Sequence, residues 1–221
     1  MARRAANRLM DIMAARPDPE KPNQNLTGIF NYCDPADDEL FIPIIMHPVY
    51  LELSRRILGD GFQCISAGGG CNWWKPGAPA QGLHVDAPYG WFLKNGFPVP
   101  DVNLLVNSLW MLTDFTRENG GTRVIPFSHH ARRSPRKSVT YEHQVAAEGP
   151  AGSIVIFNGK LWHGAGANTT TDSQRVGLSV AYAHGLLDTS ATGANWPQIR
   201  RSVRDRLPAE YQPLFHSIVE D

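Results

Sequence analysis

The chain has 221 residues, of which 42% are hydrophobic, so it is long and apolar enough for one globular domain with its own core. Its 21 basic and 21 acidic residues cancel, which gives no electrostatic reason to expect nucleic acid or an anionic membrane as a partner. No apolar run reaches the length of a membrane span, and the first residues lack the apolar segment of a secretory signal. Three cysteines without zinc or disulfide spacing favour a reducing cytoplasm, and we predict a cytoplasmic monomer or homodimer.

The first 60 residues are predicted to be mainly helical. The Arg-rich start also fits a transit peptide, but apolar residues at helical spacing favour an amphipathic helix over residues 3–15. Residues 16–40 are rich in Pro, Asn and Asp and are typical of an irregular loop. A second helix is predicted from Pro48 to Gly59, with Val49, Leu53, Ile57 and Leu58 on one face.

Short apolar or alternating runs follow, separated by Gly, Pro and Asn, which is the pattern of a β-sandwich or barrel. A last helix is predicted to begin near Pro197 and to end before Pro208. The pattern indicates a mainly β fold with flanking helices: a jelly roll over residues 61–185 and a C-terminal helix within 196–215, all one domain spanning 1–221. The predicted strands cover residues 62–67, 104–115, 121–126, 153–157 and 176–182.

Two stretches resemble ligand sites but are better explained without a ligand. Residues 67–70 are rich in glycine, but no Gly-Lys-Ser/Thr follows, so we predict a flexible turn and not a phosphate loop. The basic run of residues 132–137 is predicted to be a solvated loop, with an anion site as the alternative.

A metal site is predicted around His84 and Asp86. In an extended strand, side chains two apart point to the same face, so these two would lie side by side. With a third ligand such as His163, they would form the 2-His-1-carboxylate triad that is typical of non-haem Fe(II) oxygenases. Because His-x-Asp is common by chance, the spacing alone is weak evidence.

Arg175 stands at the start of an apolar run, where a buried guanidinium without a partner would be costly. A dicarboxylic cosubstrate that it grips with two hydrogen bonds would satisfy its charge.

Together, His84-x-Asp86, the segment from Leu112 to His129, and His163 with Arg175 resemble the phytanoyl-CoA dioxygenase family of Fe(II)/2-oxoglutarate oxygenases. The resemblance covers about residues 45–215 and implies a double-stranded β-helix with the metal in its mouth. It also implies that His84, Asp86 and His163 bind Fe(II) and act as the catalytic centre. The cosubstrate 2-oxoglutarate would be held by Gln81, Thr122 and Arg175.

The implied activity is a dioxygenase that uses Fe(II), O2 and 2-oxoglutarate to hydroxylate, or otherwise oxidise at C–H, a small-molecule metabolite, releasing succinate and CO2. Two alternatives stay open: a cupin-like isomerase or hydrolase that does not use 2-oxoglutarate, and a non-catalytic jelly-roll binding protein. Relatives usually have glycine where Phe127 stands, so a local difference in turn or pocket wall is expected. They also carry more sequence before the helix ending at Gly59, so we expect the pocket to be open or completed by another subunit.

Aromatic residues near the metal motif are predicted to contact the substrate. Tyr89, Trp91 and Phe92 stand in the loop of residues 87–101, which we expect to act as a lid over a moderately apolar substrate. Trp110 is predicted to contact the substrate as well, with a core position as the alternative. The remaining histidines are expected to be surface or core residues: His47, His129, His130, His143, His184 and His216.

Overall fold

The computed structural model describes residues 1–137, 139–187 and 196–221. The helices in these ranges are α1 (Ala2–Ala14), α2 (Asp38–Ile45), α3 (Pro48–Leu58), α4 (Tyr89–Lys94) and α5 (Arg201–Arg206). The strands are β1 (Asn23–Thr27), β2 (Gln63–Cys64), β3 (Gly70–Trp74), β4 (Leu105–Met111), β5 (Thr122–Val124), β6 (Val145–Ala147), β7 (Ile154–Asn158), β8 (His163–Ala165), β9 (Arg175–Ala183), β10 (Ile199–Arg200) and β11 (Ile218–Val219).

Two antiparallel sheets form the centre of the molecule. The major sheet has the order β1-β3-β9-β4-β7, with β2 paired to β9 beside β3, and the minor sheet has the order β6-β5-β8. A small parallel pair, β10-β11, completes the strands of the described ranges. The predicted fold class is confirmed: the protein is mainly β with flanking helices, and the sheets do not close into a barrel.

Strand β9 shows how the major sheet separates the core from the interior cavity. Its even-numbered residues, Val176 to Tyr182, are buried in the main hydrophobic core, which also contains the apolar faces of the N-terminal helices. Its odd-numbered residues Arg175, Ser179 and Ala181 line a cavity on the opposite face. This division follows from the two-residue period of a strand.

Helix α3 has the predicted bounds but a different buried face. Tyr50, Ser54 and Leu58 are buried, whereas Val49 is 66% exposed and Ile57 is 38% exposed. The Tyr50 hydroxyl lies 2.9 and 2.8 Å from the carbonyl oxygens of Val106 and Val180, so a polar contact with the sheet fixes the rotation of the helix. Leu58 is buried as predicted, but the rest of the predicted face is displaced by one position, because apolar spacing carries no information about this bond.

The prediction of an irregular segment over residues 16–40 was wrong in two places. Strand β1 has the sequence Asn-Gln-Asn-Leu-Thr and buries only Leu26, so its pairing with β3 and not its own apolarity makes it a strand. Helix α2 starts at Asp38 and buries Leu40, Phe41, Ile44 and Ile45 in spite of Pro43 within it. Strand β1 also places part of the first 60 residues in the major sheet.

The glycine-rich stretch is a closely packed turn and not a flexible one. Gly68 and Gly69 are buried, and a Cβ on Gly69 would lie 2.1 Å from the carbonyl oxygen of Ser179. Gly70 then begins β3, which was not predicted. Strands β6 and β8 were not predicted either, since three residues give too short a pattern.

The C-terminal helix is shorter than predicted. Helix α5 has six residues, preceded by β10 and followed, at Gln212–Leu214, by a single 3₁₀ turn. The turn at Phe127 has a conformation that favours glycine: Phe127 adopts a φ of 63° and points its ring outward, 78% exposed.

Candidate metal centre

His84, Asp86 and His163 meet at one end of the cavity. Each offers a ligand atom, and these atoms lie within 4.8 Å of one another, as a shared metal ion requires. The Asp86 Oδ1 atom lies 3.9 Å from Nε2 of His84 and 3.6 Å from Nε2 of His163. Among the residues that the structure describes, this is the one group of three or more His, Cys, Asp or Glu side chains arranged to bind a metal.

Main-chain hydrogen bonds hold the two histidines beside each other. His84 and His163 form an antiparallel bridge, in which the two N–H groups donate to the opposite carbonyl oxygens at 3.0 and 3.1 Å. The Asp86 N–H donates to the Gly159 carbonyl oxygen at 3.0 Å. The metal motif is therefore tied to the segment that precedes His163, although the two stretches are distant in sequence.

The orientation of both imidazole rings leaves Nε2 for the metal. The Nδ1 atom of His84 lies 3.1 Å from the Gly82 carbonyl oxygen, and Nδ1 of His163 lies 2.9 Å from that of Leu161. A proton on Nδ1 satisfies these carbonyl groups and fixes the tautomer in which Nε2 carries the lone pair. Burial and the neighbouring His163 lower the pKa of His84, which favours the neutral ring that a metal needs.

Strand β4 contributes a residue to this site that was not predicted. The side-chain amide of Asn107 donates a hydrogen bond to Oδ2 of Asp86. On the next strand, the Phe157 ring lies 4.7 Å from the His163 ring, centroid to centroid, and Asn107 and Phe157 are direct partners in the β4-β7 pairing. Only the sheet register reveals the contact of Asn107, because this residue is distant from all three ligands in sequence.

A cavity of about 310 Å³ lies between the two sheets. The three candidate metal ligands, Gln81, Thr122 and Arg175 all line it, so the structure brings every predicted metal and cosubstrate residue to one cavity. Thr122 is on the minor sheet and Arg175 on the major sheet, so a ligand between them would contact both sheets.

Arg175 is a buried cation without a counter-ion in the described ranges. Its side chain is 2% exposed, forms no ion pair, and its Nε has no hydrogen-bond partner. The guanidinium lies 4.9 Å from the ring centroids of both Trp74 and Phe115. Burial lowers its pKa to about 10. Such a group is costly by itself, and an anion in the cavity would compensate for it.

Gln81 is held by its neighbours in the minor sheet. Its side-chain Oε1 accepts a hydrogen bond from the Ala165 N–H at 3.0 Å. The Arg123 guanidinium donates to the carbonyl oxygens of Gln81 and Ala165, and to Oε1 of Gln144. These contacts fix the chain three residues before His84.

The residues predicted to contact the substrate do not line this cavity. Trp110 is 8% exposed and packs in the main core, where its ring lies 5.2 Å from that of His47, so its core alternative describes its position. Tyr89 is fully buried, with its hydroxyl bound to Leu104 and Val102. Trp91 and Phe92 lie on α4, which forms within the predicted lid; a substrate role for these two stays a prediction.

The fold and site define a jelly-roll protein in which three candidate metal ligands and a buried arginine line one cavity. The sequence model of the family described as phytanoyl-CoA dioxygenase (PhyH) matches residues 2–176. The chain belongs to this family.

Curated relatives of fungal origin include the dioxygenase aneA of Aspergillus aculeatus, 32% identical over 78% of this chain and 57% of that protein. The Fe(II)/2-oxoglutarate-dependent dioxygenase nvfF of Aspergillus novofumigatus is 37% identical over 62% of this chain and 45% of its own length. The chain spans about half the length of the curated relatives it matches.

Solved structures support the fold. HygX from Streptomyces hygroscopicus, determined with nickel, 2-oxoglutarate and hygromycin B, has a TM-score of 0.58 at 14% identity, covering 84% of this chain and 79% of that one. The carbocyclase SnoK from nogalamycin biosynthesis, described as non-haem and α-ketoglutarate-dependent, has a TM-score of 0.57 at 20% identity, covering 81% of this chain and 72% of that one.

None of the helices in the described ranges has the length and apolarity needed to cross a membrane.

Proposed function

We propose that the protein is an Fe(II)- and 2-oxoglutarate-dependent dioxygenase that oxidises a C–H bond of a small-molecule metabolite and releases succinate and CO2. The observation that carries the proposal is the pairing, in one cavity, of a candidate three-ligand metal triad with a buried arginine that has no counter-ion among the described residues. Membership of the PhyH family and similarity to a relative named as an Fe(II)/2-oxoglutarate-dependent dioxygenase support it.

The donor set suits Fe(II). Two imidazoles and one carboxylate occupy one face of an octahedral ion and leave positions for a chelating cosubstrate and O2. When bound, iron with 2-oxoglutarate and O2 supplies the oxidant for C–H cleavage. His84, Asp86 and His163 would hold the metal, and Asn107 would keep one oxygen of Asp86 turned away from it.

The cosubstrate assignment rests on Arg175. Its guanidinium would bind the distal carboxylate of 2-oxoglutarate, which would remove the cost of the unpaired buried charge. The buried rings of Trp74 and Phe115 lie against the guanidinium and would limit its hydration, which would strengthen the ion pair. Thr122 would contribute its hydroxyl, and Gln81 would contact the cosubstrate from the segment that carries His84.

The alternatives explain less of the site. A cupin-like isomerase or hydrolase needs the triad but gives no role to Arg175 at the far end of the cavity. A non-catalytic jelly-roll protein would not need three potential metal ligands with oriented imidazole rings and a hydrogen-bonded carboxylate.

We infer further that the chain acts as one cytoplasmic domain, a monomer or homodimer, without nucleic acid or membrane as a partner. The balanced charge and three buried free thiols support this inference.

The proposal is tested by cosubstrate binding and consumption. The protein should bind 2-oxoglutarate in the presence of Fe(II) without O2, and should convert it slowly to succinate when O2 is admitted. Arg175→Met should lose both, while Arg136→Met, which removes an exposed arginine, should keep both. Metal binding without any 2-oxoglutarate binding would favour the cupin-like alternative.

A further inference from the structure

Neutral hydrogen-bonding side chains form the cavity wall on the β3 side of β9. Thr27, Ser66, Asn72 and Ser179 line the cavity there, and we name these four residues the polar shelf. Thr27 is paired with Gly70, and Gly70 with Ser179, so Thr27 and Ser179 lie on one face of three neighbouring strands, and Asn72 is two residues along β3 on the same face.

The shelf lies across β9 from the metal site. Ala181 of β9 is paired with Asn107, the residue bound to Asp86, and on its other side it accepts a hydrogen bond from the Ile65 N–H, one residue before Ser66. Two strand spacings therefore separate Ser66 from Asn107, roughly 10 Å. If a substrate places its reacting C–H bond at the metal, a polar group a few bonds from that C–H bond would lie at the shelf.

Much of the hydrogen-bonding capacity of the shelf is unused within the described residues. Ser179 donates to the Gly70 carbonyl oxygen at 3.0 Å, and the Asn72 amide nitrogen lies 3.5 Å from the Ser179 hydroxyl. The side-chain oxygen of Asn72 and the hydroxyls of Thr27 and Ser66 accept and donate no hydrogen bond there. These groups are available to a ligand that offers both donors and acceptors.

Close packing fixes the turn that carries Ser66. Residues 66 to 69 all have positive φ, and two of them, Ser66 at 57° and Ala67 at 42°, are not glycine. The turn is packed directly against the main chain of β9, where Gly69 leaves no room for a Cβ. Strained backbone of this kind persists where the surroundings enforce it and is concentrated at binding sites.

The charges of the cavity-lining residues indicate which kind of ligand the shelf can bind. Among the cavity-lining residues that the structure describes, the charged side chains are Asp86 and Arg175, and the two histidines of the triad are the other candidate metal ligands. In the proposed function all four are occupied by metal and cosubstrate. A carboxylate, phosphate or ammonium group of the substrate would then find no free opposite charge among these described lining residues and would be desolvated without compensation.

We propose that the polar shelf binds the prime substrate, and that the part of the substrate inside the cavity is a neutral, oxygenated hydrocarbon with a hydroxyl or carbonyl group. This rests on the proposed function, because Arg175 must be occupied by the cosubstrate. The cavity volume of about 310 Å³ is at the lower end for ligand pockets, so cosubstrate and one ring of the substrate would fill it.

Four probes with one ring and different charge test the proposal: cyclohexanol, cyclohexanone, cyclohexanecarboxylate and cyclohexylammonium. Saturation-transfer NMR is recorded on the full chain loaded with Zn²⁺ and 2-oxoglutarate. The alcohol and ketone should receive saturation, and the two ions should not. The variant Thr27→Val/Ser66→Ala/Asn72→Leu should reduce the signals of the neutral probes at least fivefold, with Thr27→Val alone giving a partial loss if the triple variant does not fold. Thr140→Val, at an exposed site outside the cavity, should have no effect.

Equal signals from a charged probe, no signal from either neutral probe, or neutral signals unaffected by the shelf variants would overturn the proposal. The 2-oxoglutarate affinity of each sample, measured by calorimetry, distinguishes failure of the polar-shelf proposal from failure of the proposed function. Loss of 2-oxoglutarate binding in the shelf variants alone would assign these residues to the cosubstrate and contradict their proposed role in substrate binding. Absence of 2-oxoglutarate binding in the wild-type protein would instead contradict the proposed function.

Discussion

Asn107 donates a side-chain hydrogen bond to Oδ2 of Asp86, while Oδ1 of the same carboxylate lies toward the two histidines. The bond fixes the rotation of the carboxylate without neutralising it, so one oxygen stays available to a metal. Asn107 thus acts as a positioning residue for the metal site, on a strand that contributes no ligand.

Replacement of Asn107 by Leu should weaken metal binding while the protein stays folded. Partners of ligands outside the first coordination sphere typically contribute 10- to 100-fold to metal affinity, and we expect a loss of about that size. Anaerobic titration with Co²⁺, read by its visible absorption, measures it. Asn7→Leu on the exposed surface of α1 is the control. An unchanged Co²⁺ affinity in the Asn107 variant would show that Asp86 needs no such support.

Arg175→Met should have opposite effects on stability and on cosubstrate binding. Loss of a charge-assisted, two-point contact should cost about 2–4 kcal/mol of 2-oxoglutarate binding, a loss of roughly 30- to 1000-fold in affinity. The ligand-free protein should be as stable as wild type or more stable, since removal of a buried unpaired charge outweighs the lost contacts with Trp74 and Phe115. Calorimetry and urea unfolding measure the two quantities. A variant that unfolds more easily and still binds 2-oxoglutarate would assign Arg175 a structural role.

The affinity for a dicarboxylate should decrease at high pH. Burial lowers the pKa of Arg175 to about 10 in the ligand-free protein, and a bound carboxylate should raise it again. Below pH 10 the guanidinium is charged in both states, so the affinity for glutarate should be constant. Above pH 10 binding requires uptake of a proton, and the affinity should fall by up to tenfold per pH unit. Titration of metal-free protein with glutarate from pH 8 to 10.5 tests this, and a flat profile would contradict it.

The fold class was predicted correctly from the pattern of short apolar runs. The candidate site residues His84, Asp86, His163 and Arg175 were named from their chemistry together with the family resemblance, and the structure brings all four to one cavity. The sequence does not show Asn107, because its role depends on which residue faces it across the sheet. Strand β1 was missed for the same reason: its five residues form a strand only through their partner β3.

The predicted substrate residues show a different limit of sequence reasoning. Aromatic residues near a metal motif can anchor the main chain of a neighbouring segment as readily as they can bind a substrate. Tyr89 is such an anchor, since its hydroxyl accepts a hydrogen bond from the Leu104 N–H at 2.6 Å and lies 3.1 Å from the Val102 carbonyl oxygen. Composition alone cannot separate it from Trp91, which is on the same helix but 40% exposed.

These two residues should therefore respond differently to substitution. Tyr89→Phe leaves the partly buried Leu104 N–H without its acceptor and should destabilise the protein by about 1–3 kcal/mol, visible as a lower Tm. Trp91→Ala should leave Tm nearly unchanged and alter the KM or product profile of the prime substrate, because the exposed ring belongs to the predicted lid. Equal losses of Tm in both variants would indicate that α4 is only structural.

The most direct test of the account is anaerobic Fe(II) titration of the wild type, His84→Ala and His163→Ala, followed by 2-oxoglutarate and then O2. His143→Ala, at an exposed site away from the triad, is the matched control. The wild type and the control should bind one Fe(II), then one 2-oxoglutarate, and should form succinate when O2 is admitted. The two triad variants should bind Fe(II) weakly and form no succinate, because two ligands hold the ion poorly. Undiminished Fe(II) affinity and succinate formation in either triad variant would contradict the metal site on which the account depends.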